Sequence, residues 1–265
     1  MMKQLTQQYK IKIINMITLS TASLKGYGLN RIFQFTKNAG YNAVDLDVIS
    51  GQFDTSNSTY INNLIEEYEI SVHSVSAPKN TSIKKLKELI KFTKEINAKV
   101  LIIQPPKILD FKAIAWIKSE IPRLREKENI SIALENAPAG TILGLFSKHA
   151  ISNNQDLKKF KHVSLDTSRV GDKKQDLIRI YTSLKKYLVH INISNIKGGK
   201  KYCPPQEGIL PIESLLTKLK TDKFPGAISI KVSPHKLHVG NDEKMLDSLK
   251  DIKKFYEKYY INIGE

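Results

Sequence analysis

The chain alternates repeatedly between two hydrophobic periods, and that rhythm limits its folds more than any other feature. Of eight segments with a period of two residues, seven are followed by segments whose apolar residues lie three and four apart. The expected strands are Ile11–Leu19, Ala43–Val48, Ile70–Val75, Val100–Gln104, Ile130–Glu135, His162–Asp166, Val189–Ser194 and Ala227–Val232. The expected helices are Leu29–Ala39, Thr59–Tyr68, Ser82–Ile96, Phe111–Lys127, Gln175–Leu188, Pro211–Lys220 and Glu243–Tyr259. Pro122 predicts a kink or break in the fourth helical stretch. Thr141 to Lys161 is the least periodic stretch and is assigned one or two short helices.

Strands alternating with helices at this spacing require a parallel sheet. Strands of an open parallel sheet are covered on both faces and read as continuous apolar runs. Here the fifth strand sets Ile130, Ile132 and Leu134 against Ser131, Ala133 and Glu135, and the eighth sets Ile228, Ile230 and Val232 against Ala227, Ser229 and Lys231. One face suits helices, and the other offers small or polar groups to a crowded barrel interior. No GxGxxG follows the first strand, which removes the main sign of a dinucleotide fold. The expectation is an α/β fold: a single (β/α)8 TIM barrel domain over residues 1–265, near the usual size of about 250 residues.

Composition excludes several classes. MMKQLTQQYK has no apolar core of a signal peptide, and no apolar run is long enough to span a bilayer, so no membrane partner is expected. Cys203 is the sole cysteine, so no internal disulfide forms and a cytoplasmic location is expected. The net charge of +16 would suit a polyanion, but only five of the 42 basic residues are Arg, the residue suited to bidentate phosphate contacts. The lysines are spread along helices and interleaved with Glu88 and Glu95, as on a solvated surface, so a nucleic-acid partner is disfavoured.

In barrels of this kind the chemistry sits at the C-terminal ends of the strands. The last inward residue of each later strand is Gln104, Glu135, Asp166, Asn192 and Lys231, with Arg169 and Asn195 just beyond. Charges aimed into an interior need partners, so Glu135, Asp166 and Lys231 neutralise one another or meet a ligand. After the seventh strand, Gly198, Gly199, Lys200 and Lys201 form a loop expected to be mobile and basic; its lysines would contact a phosphate or carboxylate.

These segments resemble the xylose-isomerase-like barrels, the sugar-phosphate isomerases and epimerases with endonuclease IV as a distant member. The resemblance rests on GYNAVDLDV, VHSVSAP, ALENAPAG, SLDTSR, VHINISN, CPPQEGILPIESLLTKLK and GAISIKVSP, in order from Gly40 to Pro234. It implies one divalent ion (Mn, Zn, Co or Mg) held by Glu, Asp, His and Glu on strands five to eight. Glu135 and Asp166 match, whereas Asn192 replaces the His and Lys231 the second Glu. Gln104, Ser76, Arg169, Asn195, Tyr202 and Gln206 depart from the supporting positions.

Those departures remove the carboxylates and imidazoles that metals need. The expectation is no resident metal, with the Lys231 ammonium neutralising Glu135 and Asp166 in its place. Two readings follow. In one, an isomerase- or epimerase-like enzyme (or a lyase) acts on a small sugar, sugar phosphate or hydroxy-carbonyl compound, with Glu135 as base and Lys231, Arg169 and Asn192 stabilising an enediolate. In the other, the site is a decayed homologue's and binds without turnover. Substrate contacts are assigned to Gln104, Asn192, Asn195, Lys200 and Lys201. The tyrosines Tyr256, Tyr259 and Tyr260 would pack on the barrel or on a second copy in a homo-oligomer.

Overall fold

A computed structural model describes residues 16–142 and 146–261. The barrel strands are β1 (Ile17–Ser20), β2 (Ala43–Asp47), β3 (Ser71–Ser76), β4 (Val100–Ile103), β5 (Ser131–Glu135), β8 (Val163–Asp166), β9 (Leu188–Ile193) and β12 (Ala227–Ile230). Two small hairpins supply the rest: β6 (Thr141–Ile142) with β7 (Phe146–Ser147), and β10 (Asn195–Lys197) with β11 (Lys200–Cys203). The eight barrel strands are all parallel and close in the order β1-β12-β9-β8-β5-β4-β3-β2. The expected (β/α)8 architecture is therefore the observed one. The first strand begins at Ile17 among the described residues; residues 11–15 of its expected span lie outside them.

The outer helices are α1 (Leu29–Asn38), α2 (Ser58–Tyr68), α3 (Ile83–Glu95), α4 (Phe111–Glu128), α5 (Asn154–Phe160), α6 (Thr167–Asp172), α7 (Leu177–Leu184), α8 (Ile212–Thr221) and α9 (Asp242–Tyr256). Asn57, Ser82, Asp110, Asn153, Asp166, Asp176 and Asn241 each cap a helix by accepting from a backbone N–H three residues on. Among the described residues, no helix is long and apolar enough to cross a membrane.

The alternation read from sequence sorts the two faces of the strands. Leu19, Leu46, Leu101, Leu134, Leu165, Ile191 and Ile230 pack outward with Phe33, Leu89 and Leu215 of the helices in one apolar cluster. Thr18, Asp45, Ser74, Glu135, Ser164, Asp166, His190, Asn192 and Ser229 are all fully buried polar residues of the same strands. The barrel interior is thus mainly polar, with an apolar patch of Val100, Ile102 and Ala133, and the shell around it is apolar.

Local expectations needed correction in three places. Helix α4 runs through Pro122 without a break; the carbonyl that Pro122 leaves unpaired belongs to Lys118, an exposed residue that water can serve. The stretch expected as one helix from Gln175 to Leu188 is shorter, Leu177–Leu184, because Leu188 already pairs with Val163 in the sheet. The loop at Gly198 and Gly199 is the turn of a β-hairpin, both glycines having positive φ, which joins strands with little splay.

Candidate functional site

At the C-terminal ends of β5 and β8, Glu135 and Asp166 lie on neighbouring strands, Asp166 two residues beyond Ser164, the register partner of Glu135, and both are fully buried. Asp166 also caps α6, its Oδ1 accepting from the Arg169 backbone N–H at 3.2 Å. That cap fixes Arg169 one turn onward, so its guanidinium folds back over the carboxylates. Arg169 Nη2 is 2.6 Å from Glu135 Oε2, and Nε is 3.6 Å from Asp166 Oδ2. Nη1 donates to the Asn136 carbonyl at 2.8 Å, and Nη2 also donates to Gln104 Oε1 at 2.9 Å.

The other donors complete a closed set. Gln104 Nε2 donates to Glu135 Oε2 at 2.8 Å, and Asn192 Nδ2 donates to Oε1 at 2.9 Å. Tyr202 O–H donates to Asp166 Oδ2 at 3.2 Å. Burial alone would raise the Glu135 carboxyl, but Arg169 first, then Lys231, Gln104 and Asn192, hold it well below the usual carboxylate range. Asp166 is pushed up, by burial and then by the charge of Glu135. Glu135 is therefore a saturated anion, poorly placed to take a proton.

The cation between these carboxylates is Arg169 and not Lys231, as the sequence had suggested. Lys231 follows β12, whose neighbours are β1 and β9, so two strands, β9 and β8, separate it from β5. Its ammonium faces β2 instead, 3.8 Å from Asp47 Oδ1, an ion pair too long for a hydrogen bond. The second oxygen of Asp47 accepts from Ser20 Oγ at 2.7 Å. Below it, Asp45 Oδ1 accepts from Ser74 Oγ and Ser76 Oγ at 2.9 and 3.2 Å, while Oδ2 is buried with no partner. Burial, followed by the neighbouring Asp47, raises the Asp45 carboxyl to about 7 against the pull of Lys231. Burial would discharge Lys231, yet Asp47, Glu135, Asp45 and Asp166 together keep it firmly protonated.

Strand two was not nominated from sequence, although its Asp45 and Asp47 alternate in the way Glu135 does on strand five. A cavity of about 420 Å³ opens above this floor, with Asp47, Ser76, Gln104, Arg169, Tyr202 and Lys231 in its wall and Lys25 and Lys79 at its edge. A second cavity of about 310 Å³ shares Ala77, Pro78 and Gln104 with it and reaches Trp116.

Three of the expected contacts lie elsewhere. Asn195 is buried, and its amide holds the loop after β10, donating to the carbonyls of Pro205 and Leu210 and accepting from the N–H groups of Ile196 and Leu210. Lys200 and Lys201 belong to the hairpin and are not in the cavity wall; Lys201 pairs with Asp172 at 2.9 Å. Asn192 reaches the site through Glu135 and lies beneath the cavity floor, as do Glu135 and Asp166.

The donor set does not fit a divalent ion between Glu135 and Asp166. All four of their oxygens already accept N–H or O–H groups or face the guanidinium, and the remaining nearby side chains are amides, a phenol and cations. Among the described residues, no group of three or more His, Cys, Asp or Glu side chains is arranged to hold a metal.

No protein-family model and no curated protein sequence matches the chain. Solved structures do. The D-allulose 3-epimerase of Methylomonas sp., in complex with D-allulose, is similar over 92% of this chain and 97% of its own, with a TM-score of 0.71 and 13% identity. The chain has the fold of the xylose-isomerase-like barrels. A xylose isomerase domain protein from Alicyclobacillus acidocaldarius covers 92% of this chain and 98% of its own at TM-score 0.68 and 14% identity. The IolI protein, solved with a zinc atom, covers 93% and 100% at TM-score 0.71 and 14% identity. The xylose-isomerase-like resemblance read from the ordered strand motifs is therefore borne out at the level of fold.

Proposed function

We propose that this xylose-isomerase-like barrel takes a small sugar, sugar phosphate or related hydroxy-carbonyl compound in its mouth cavity, in the cytoplasm and without a resident divalent metal. The observation that carries the reading is the Lys231 ammonium. It is kept charged by four carboxylates, yet its nearest partner is 3.8 Å away and its side chain retains 16% exposure at the cavity floor. A protonated amine in that position can accept the developing negative charge of an enediolate oxygen. Asp47 beside it, open to the same cavity, is the carboxylate placed to move a proton from an adjacent C–H carbon. Glu135 and Asp166 serve as a rigid base beneath the cavity and Arg169 as part of its wall, with Gln104 and Asn192 orienting Glu135.

The sugar epimerase among the structural neighbours supports this substrate class, as its crystal complex holds D-allulose. A second reading, binding without turnover, is favoured by the saturation of Glu135: every oxygen of the expected base is already engaged.

Two measurements test the proposal. The metal content of protein purified without chelator should be far below one ion per chain; near-stoichiometric Mn, Zn, Co or Fe would overturn the metal-free reading. A panel of sugars, sugar phosphates and hydroxy-carbonyl acids should raise the melting temperature, and Lys231→Ala should abolish that shift. Solvent deuterium entering a carbon-bound position of a panel compound separates turnover from binding alone, and Asp47→Asn should stop it.

A further inference from the structure

Among the described residues, the large apolar side chains that face solvent are Phe53, Leu109, Phe111, Ile142 and Ile209, with exposures of 74%, 74%, 73%, 37% and 77%. All five occupy one end of the molecule. Phe53 lies between β2 and α2, Leu109 and Phe111 at the junction of β4 and α4, Ile142 after β5, and Ile209 between β9 and α8. Each of these connections follows the C-terminal end of a barrel strand, so the five surround the mouth on four of its eight sides. The opposite end and the outward faces of the helices carry no comparable side chain among the described residues. Scattered single apolar residues need no explanation, but a set confined to one face marks a contact surface.

The same face is basic. Lys25, Lys79, Lys107, Lys148 and Lys200 are exposed on its loops, and none of them has an ion pair among the described residues. Its acidic residues are mostly engaged: Asp110 and Asp176 cap α4 and α7, Glu207, Asp172 and Asp242 are paired with Lys197, Lys201 and Arg31, and Asp54 and Glu243 complete the set. We propose that this face docks peripherally on an anionic lipid surface, its five apolar side chains entering the headgroup layer while the lysines meet the anionic headgroups. Two like-charged copies would oppose each other face to face. Leu109, Ile142 and Ile209 are aliphatic, which offers little to a nucleic acid that binds through phosphates and stacking. Docking of this kind needs no spanning helix, and it departs from the expectation that the chain has no membrane partner. It would also turn the mouth cavity toward the interface.

The test is sedimentation of the full chain with vesicles of phosphatidylcholine, with and without phosphatidylglycerol, at low and high salt. The Phe53→Ser/Phe111→Ser/Ile209→Ser variant replaces three exposed side chains and should fold as wild type, checked by circular dichroism and melting temperature. Wild type should pellet with phosphatidylglycerol vesicles, and the variant's affinity should fall about tenfold or more. Absence of pelleting with those vesicles would overturn the proposal. Pelleting unchanged in the variant would overturn it too, reducing the surface to a general basic charge. A vesicle-free dimer, or an oligonucleotide complex that the variant loses while vesicles do not bind, would assign the face to those partners instead.

Discussion

At the scale of single residues, the interior of this barrel is organised by which cation lies beside which carboxylate. Arg169 is the sole guanidinium on Glu135, so Arg169→Ala leaves a buried charge held only by two amides and a distant ammonium. The expected cost is about 3–5 kcal/mol, measured by urea unfolding. Asp45 makes a prediction about pH. Its folded-state carboxyl lies near 7, above the unfolded value near 3.8, so its contribution is fully present below the lower value and is lost as pH rises through the upper one. Between about pH 4 and about pH 7 the stability of wild type relative to Asp45→Asn should therefore fall as pH rises. Parallel slopes for the two proteins would mean that Asp45 is ordinary. Periodicity alone identified Glu135, Asp166 and Asn192 as inward and terminal, because alternation states which face a side chain takes. It did not state that Arg169 rather than Lys231 meets Glu135, because that depends on which strands are neighbours and on the cap that turns Arg169 back.

At the scale of elements, the hairpin β10–β11 and the loop behind it show where local chemistry outweighs pattern. Asn195 lies just beyond β9 and was expected at the mouth, yet its amide is spent on four backbone groups. Gly208 is the reason that this loop closes. At φ +149° any Cβ there would collide with the Ile196 carbonyl oxygen and the Asn195 side chain. Gly208→Ala should cost about 2–4 kcal/mol and expose the loop to limited proteolysis before the barrel unfolds. The hairpin itself was open to a sharper reading of the sequence: Gly198-Gly199 between Asn-Ile-Lys and Lys-Lys-Tyr-Cys is a two-residue turn signal. Helix α6 was harder to see, since its short span carries too little periodicity to register.

At the scale of the whole molecule, the barrel was legible because its evidence is repeated. Eight weak strand signals with one shared polarity pattern constrain the topology more than any one of them does, and the polar interior follows from the same alternation. The site was less legible because its geometry is a product of closure, which brings residues 45, 135, 166 and 231 to one end of a cylinder. That closure has an order in time. β12 is the last of the eight strands to leave the ribosome, and it fits between β1, the first of them made, and β9. Until it arrives, both neighbours present open edges and the Asp47 carboxylate has no ammonium opposite it. Completing the cylinder and charging its mouth are thus one event, so a nascent chain, or one shortened to end before β12, would have neither a sealed sheet nor a competent cavity.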